Sequence, residues 1–446
     1  MNRIATLFVV GLSLMMAPLS AKARQWTLRQ CIDYALENNI SPQKTRLQRL
    51  SSMEDVKQSQ AALLPSLNFG TTQNMTYNPW PQTGRAVVAG DQVQTSVDKI
   101  YYNGSYSLNA NWTVWNGNAN RNTIKANKIA AEKAALDSAT TANSIQEKIA
   151  QLYVQILYSI DAKKVNESIL ATSKTNEQRG MEFVQQKKMS KADLAQLSAQ
   201  RAQDEYNVVQ AESSIRDYKR QLKQLLQITD DEEFDIEVPT TTDEMALQDI
   251  PELQGVYVSA LAIRPEIQNA QLGIASSELQ VKIAKAGRMP TVGLNAGFST
   301  STTSMNTTAW GTQLKNNFNV GAGFNVSIPL FDQRQTKTAV NKAEIQKQSY
   351  MLDLKDQQTT LYSTIENYWL QALTNQNMFK AAQESRRSAE ESYHLLSEQF
   401  KYGLKNTVEL LTGRDNLLKA QQSELQSKYL TVLNLDMLNF YKNGKM

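Results

Sequence analysis

YNGSYSLNANWTVW at residues 102–115 and FNVGAGFNVSIPLF at residues 318–331 decide the fold. In the first, Tyr106, Leu108, Ala110, Trp112 and Val114 share one face, and Ser105, Ser107, Asn109, Asn111 and Thr113 share the other. In the second, Phe318, Val320, Ala322, Phe324, Val326, Ile328 and Leu330 oppose Asn319, Gly321, Gly323, Asn325 and Ser327. A period of two is the mark of a one-sided β-strand. Residues 66–77 (Leu67, Phe69, Thr71) and 291–301 (Val292, Leu294, Ala296, Phe298) repeat it more weakly. All four stretches outrun an ordinary strand and match the roughly 9 to 11 residues that cross a bilayer at a tilt. Tyr101, Tyr102, Trp112 and Trp115 sit near strand ends, as interfacial aromatics do. The competing reading is a half-buried antiparallel sheet in a soluble domain, the commoner use of such alternation.

If these strands face lipid, the sheet must close, because each backbone group left unpaired in hydrocarbon costs several kcal/mol. Four strands cannot close on themselves, since the smallest membrane barrels have about eight. The chain therefore has to lend its strands to a barrel shared with identical copies.

Outward from the strands, the sequence is written twice. At a constant offset Asn109 falls on Asn325, Trp115 on Phe331, Asp137 on Asp353, Ile149 on Ile365, Gln155 on Gln371 and Leu194 on Leu410. Pro42 and Pro65 correspond to Pro265 and Pro290 with nearly equal spacing. A solenoid would repeat every 20 to 50 residues, so this is duplication of one large unit. The expected order in each copy is helix, strand, strand, very long helix, helix. The first copy spans residues 24–228 and the second 252–446, with an Asp-, Glu- and Thr-rich linker at 229–251.

No proline interrupts the chain between Pro81 and Pro239 or after Pro329. A helix can run from Ala119 to Gln186, roughly 100 Å at 1.5 Å per residue. Ile145, Ile149, Leu152, Ile156 and Ile160 step by three and four, as do Leu361, Ile365, Tyr368 and Ala372 in the second copy and Ile215, Tyr218, Leu222 and Leu225 on the returning helix. Such stripes are seams for coiled-coil pairing. The other faces are rich in Gln, Asn, Ser, Lys and Glu, which serves equally a solvated coiled coil or the wall of a watery tube.

The first residues read as an export signal at 1–23: Arg3, an apolar run from Ile4 to Ala17, and Ala21-Lys22-Ala23 as a small-x-small cleavage site. The run falls short of the ~20 residues of a spanning helix. Cys31, on an amphipathic face with Leu28, Ile32, Ala35 and Leu36, reads as a small buried hydrophobe.

Composition excludes much chemistry. One Cys and one His cannot form a disulfide or a common zinc set. Without Arg3 and Lys22, 45 basic residues face 43 acidic ones, a formal charge of +2 with the signs interspersed, so no nucleic-acid partner is implied. His394 sits among Tyr393, Leu395 and Leu396 with no nucleophile beside it and reads as structural. No Ser-His or paired-carboxylate set stands out, so neither catalysis nor a cofactor is expected. A coiled-coil adaptor or filament subunit with a soluble sheet remains the rival to a membrane channel.

Several phrases together resemble the TolC-like outer membrane efflux protein family: Trp26-Thr27-Leu28 through Ala35-Leu36-Glu37-Asn38-Asn39, Leu64-Pro65-Ser66-Leu67, Trp115-Asn116-Gly117, Ile328-Pro329-Leu330-Phe331-Asp332, and Phe400-Lys401-Tyr402-Gly403. The resemblance implies a mainly α chain with a membrane β-barrel portion. It would be a homotrimer with a twelve-stranded barrel in outer-membrane lipid and a twelve-helix periplasmic tunnel. Its implied role is a passive exit duct for efflux or type I secretion, served by a periplasmic adaptor and an energised inner-membrane pump. By the same resemblance the tunnel narrows at the helix turns, residues 187–194 and 403–410. Lys188, Met189, Gly403 and Leu404 match tips that meet the adaptor. Glu409 matches an acidic entrance ring, with Thr412 where a second acid would stand. Asp193 and Lys405 match partners in a link that holds the entrance closed, and Phe400 replaces a hydrogen-bonding tyrosine. Lys187 stands where Gly403 stands in the second copy, a departure that bears on the first turn's geometry.

Overall fold

A computed structural model describes residues 25–80, 84–88, 91–95, 99–229, 234–239 and 241–446, with the backbone alone for 84–88 and 91–95. The expected export signal lies outside the described residues. In chain order the elements are β1 (Gln25–Trp26), α1 (Leu28–Asn38), α2 (Ile40–Ala61), β2 (Ser66–Tyr77), β3 (Gly84–Val88), β4 (Asp91–Thr95), β5 (Ile100–Asn116), α3 (Ala119–Gln185) and α4 (Lys191–Leu226). They continue with β6 (Asp235–Ile236), α5 (Asp243–Ala246), α6 (Leu253–Ile263), α7 (Pro265–Ala286), β7 (Thr291–Thr303), α8 (Trp310–Asn316), β8 (Asn319–Ser327), α9 (Gln335–Lys401) and α10 (Thr407–Asn443). The long helices α3 and α9 have 67 residues each.

Contacts divide the chain into two compact units, each drawing on both sequence halves. Of the described residues, one holds those within Lys44–Thr141 and Leu261–Tyr362; the other holds those up to Gln43 and within Ala142–Ala260 and Ser363–Met446.

The first unit carries an antiparallel sheet in the order β2-β5-β7-β8. Register aligns apolar residues across all four strands. Phe69 pairs with Leu108, Leu108 with Phe298, and Phe298 with Val320. The neighbouring row of the other face is Asn68, Asn109, Gly297 and Gly321. Because side chains alternate across a strand, matched registers give one polar face and one face that is apolar from Leu67 and Phe69 across to Val320 and turns polar at Thr71, Gln73, Thr300 and Thr302. Phe69, Val320 and Phe324 are 68%, 75% and 75% exposed, so within one chain the apolar face is uncovered. The outer strands β2 and β8 each have one partner in this sheet and so present open edges.

Two differences from the sequence reading stand out here. The fourth strand ends at Ser327, short of Phe331, where Pro329 cannot donate to a ladder. The β3–β4 hairpin and α8 were not anticipated. Gln313 of α8 donates to the carbonyls of Thr303, Asn306 and Thr308 at 3.0, 3.2 and 2.7 Å, so a single buried amide secures the turn after β7.

The second unit is helical apart from the short parallel pair β1 and β6. Thr27 and Gln30 form a capping box that starts α1 and sends Cys31, Ile32 and Ala35 into a core with Ile149, Ile156, Leu222, Leu226 and Ile236. Cys31 is fully buried, and burial pushes its thiol up to about 12, so it packs as a small hydrophobe. A second core joins Leu197, Tyr393, Phe400, Leu410 and Leu417 near the helix turns. Among the described residues no helix is long and apolar enough to cross a membrane, and no group of side chains could hold a metal ion.

Candidate functional site

The two helix turns close by the same hydrogen bonds. After α3, the Lys187 N–H donates to the Val184 carbonyl at 3.0 Å and the Lys188 N–H to Phe183 at 2.7 Å. After α9, Gly403 donates to Phe400 at 3.0 Å and Leu404 to Gln399 at 2.9 Å. Both are Schellman closures, which need a left-handed residue at the first position past the cap. Lys187 has φ 58° and Gly403 has φ 72°, so the lysine adopts the conformation that glycine takes without strain.

The next helices begin alike. Ser190 caps α4, accepting from the Asp193 N–H at 3.0 Å, and its hydroxyl donates to the Asp193 carboxylate at 2.6 Å. Asn406 caps α10, accepting from the Glu409 N–H at 2.8 Å, while the Glu409 carboxylate accepts from the Asn406 N–H at 3.2 Å. Asp193 and Glu409, singled out as gate groups, are thus the acids of the first turns of two helices, where a negative charge also favours the helix dipole.

A cavity of about 700 Å³ between the turns is lined by all seven expected site residues, Lys188, Met189, Asp193, Gly403, Leu404, Lys405 and Glu409. Within it Lys405 donates to Glu409 at 2.5 Å, while Asp193 is engaged by Ser190. The Lys405 ammonium, and then the Asn406 N–H, hold the Glu409 carboxyl below its ordinary range. Met189 is half-buried against the Leu197–Phe400 core, so it supports the turn from inside.

Two features escaped the sequence reading. Tyr402, Leu404 and Val408 are 78%, 73% and 60% exposed, an apolar patch on the second turn. The corresponding residues of the first turn are Gln186, Lys188 and Ala192. The signal was present as apolar residues in a turn where solvent would favour polar ones. Behind the turns, Arg414 of α10 and Asp204 of α4 form an ion pair with side chains 2% and 1% exposed. Asp204 also accepts from Ser173 of α3 at 2.5 Å and from Gln200 at 3.1 Å. Asn176 of α3 donates to the Tyr393 hydroxyl of α9 at 3.2 Å. An arginine interrupting the apolar seam of Leu410, Leu411 and Leu417 was the available clue.

Paired helical hairpins with aligned turns, together with a sheet whose apolar face is uncovered, recur in one known family. A family model described as "Outer membrane efflux protein" matches residues 31–226 and 256–441. The chain belongs to that family. Its members are transport ducts and not enzymes. The outer membrane efflux protein BepC of Brucella suis is 23% identical over 184 residues, 41% of this chain and 39% of its own length, so the match spans well under half of that relative. The structure of CusC shares the fold with TM-score 0.78 at 15% identity, covering 94% of this chain and 92% of that one. VceC of Vibrio cholerae shares it with TM-score 0.74 at 18% identity, covering 92% and 95%. As in the family at large, the chain is mainly helical with a small sheet portion.

Proposed function

We propose that the protein is a trimeric channel-tunnel of the outer membrane, a passive exit duct of a tripartite efflux or type I secretion system. The observation that carries this reading is the four-stranded sheet with one uncovered apolar face and two open edges. Three copies of it close about twelve strands, enough for a water-filled lumen, and edge joined to edge leaves no backbone unpaired in lipid. The polar face, with its Asn, Ser and Gly residues, then lines the water. The helices α3, α4, α9 and α10 extend the lumen into the periplasm, where the export signal at 1–23 would deliver the chain. The sequence halves 24–228 and 252–446, joined by 229–251, are two copies of one ancestral unit.

In this reading the turns form the periplasmic entrance. Lys188, Met189, Gly403 and Leu404 face the adaptor, and Tyr402 and Val408 widen the apolar part of that surface. Asp193, Lys405 and Glu409 line the constriction, where three copies of Glu409 would attract cations and repel one another. A link between Asp193 and Lys405 would share one ammonium, with its three donors, between Asp193 and Glu409.

Extraction of the full-length protein from outer membranes tests the assembly: a heat-resistant trimer that needs detergent is expected, and a water-soluble monomer sinks the reading. Copurification after crosslinking should recover an inner-membrane pump and an adaptor. For the entrance, Asp193→Ala with Lys405→Ala should raise single-channel conductance in a planar bilayer; unchanged conductance removes these residues from the gate.

A further inference from the structure

Where strands give way to helices in the sheet-bearing unit, three distant segments come together. They are the start of α3, the end of α7 and the start of α9. Residues 117–130, 279–290 and 328–343 hold nine lysines and arginines and one carboxylate, Asp332. For an exported chain of formal charge +2, this is a strong local excess. Arg121, Lys125, Lys282 and Lys285 line one concavity of about 370 Å³, and Arg288, Arg334 and Lys337 line a second of about 420 Å³. The two meet at residues 287–289.

These cations are exposed, and Glu278, just before the second segment, is held below its ordinary range first by Lys347 and only last by Lys282, so most of the Lys282 charge is left over. Asp332 is engaged in starting α9: its carboxylate accepts from the Thr336 N–H at 2.9 Å. Lys285 lies 3.4 Å from Glu344, but both side chains are more than half exposed, and such pairs are weak. Among the described residues neither Arg121 nor Lys125 makes a salt bridge.

Beside the cations is an apolar rim. Leu330 and Phe331 are 93% and 87% exposed, with Met289, Ile328 and Trp115 also at the surface. Nearly complete exposure of adjacent Leu and Phe is unfavourable in water. Cations one step from apolar and aromatic side chains, at the end of a lipid-facing sheet, match the layering of a membrane interface.

We propose that this junction binds the headgroup of an anionic glycerophospholipid in the leaflet nearer the helices. Arg121, Lys125, Lys282 and Lys285 meet the phosphate, and Met289, Leu330 and Phe331 meet the first carbons of the acyl chains. The inference rests on the barrel reading above. A free phosphate would gain little here, because exposed cations leave a small anion hydrated. A lipid is already held by its tails, and each cation near the surface adds roughly fivefold to its retention.

The test incubates the full-length assembly in detergent with equal amounts of phosphatidylglycerol and phosphatidylcholine of the same chains, and retained lipid is measured by mass spectrometry. Wild type should enrich phosphatidylglycerol about tenfold or more. Arg121→Gln/Lys125→Gln/Lys282→Gln/Lys285→Gln should bring the ratio near one. A charge-matched control, Lys163→Gln/Lys164→Gln/Lys174→Gln/Lys380→Gln, should leave it unchanged. If the quadruple junction variant fails to assemble, the two paired variants, Arg121→Gln/Lys125→Gln and Lys282→Gln/Lys285→Gln, should each give intermediate ratios. Equal retention of both lipids by wild type, or an equal loss in the control, overturns the proposal. Loss of the preference on adding inorganic phosphate would assign the site to the free anion and overturn it as well. A protein that needs no detergent and retains no lipid would instead overturn the barrel reading, an outcome distinct from a detergent-dependent assembly without preference.

Discussion

The two helical hairpins, α3–α4 and α9–α10, are the same object built from different side chains. Their turns share hydrogen bonds, left-handed residue and cap, yet one has Lys187 where the other has Gly403. Their packing is reversed as well. A Cβ on Gly180 of α3 would lie 2.7 Å from Leu197 of α4, whereas a Cβ on Gly413 of α10 would lie 2.5 Å from Leu396 of α9. At the repeat offset Gly180 corresponds to Leu396 and Leu197 to Gly413. One hairpin puts the knob on its returning helix and the other on its outgoing helix. Backbone geometry is therefore what the two hairpins share, and side chains need only remain complementary.

Asymmetry is greatest at the buried ion pair, because the positions equivalent to Asp204 and Arg414 are Ala420 and Ser198. Removing Arg414 leaves Asp204 an uncompensated buried charge, so Arg414→Met should lose roughly 3 to 5 kcal/mol in urea unfolding of the detergent-solubilised assembly, and Asp204→Leu somewhat less, because Arg414 keeps its pair with Asp415. The double variant should lose less than either single one. Additive losses would mean that the two charges are not coupled.

The reversed knob comes next. Leu197→Gly should cost about 3 kcal/mol or more, and Gly180→Leu should overpack the same contact. Combining the two copies the second hairpin's arrangement into the first and should recover most of the loss by the same unfolding measurement. Failure to recover would show that the hairpins differ in backbone spacing.

The turn residue carries a smaller effect. A Cβ on Gly403 meets nothing within 4 Å, so any cost there is conformational. Lys187→Gly should stabilise by about 1 kcal/mol and Gly403→Lys destabilise by a similar amount, read as opposite shifts in the urea midpoint.

The caps give the smallest difference. Asn406→Ala and Ser190→Ala should each cost about 1 kcal/mol. Glu409 is held below its ordinary value of 4.5, so its contribution is present above that pH and is lost as the pH falls through its lower folded value. The stability gap between wild type and Glu409→Gln should therefore close on acidification. A gap that persists in acid would mean that Glu409 acts otherwise than through its charge.

Much of this was legible beforehand. Alternation along residues 102–115 names both faces of β5, because a period of two needs no knowledge of neighbours. The absence of proline made α3 readable almost to its last residue. The strand expected through Phe331 overran because Ile328 and Leu330 continue the alternation, whereas pairing stops before Pro329. For the residues expected at the entrance, the sequence carried no contacts. All seven residues line one cavity, but Lys405 rests on Glu409, a choice made by rotamers and by a capping box four residues wide.

Periodicity, the residue matches at a constant offset and the positions of the turns were determined by the sequence alone, since each is written within a few residues or by comparing the chain with itself. Which glycine receives which leucine, the pairing of Asp204 with Arg414, and the meeting of three basic segments at one strand-to-helix junction were decided only by the tertiary structure. Such contacts join residues far apart in the chain, and distance through space, which no local pattern encodes, selects the partner.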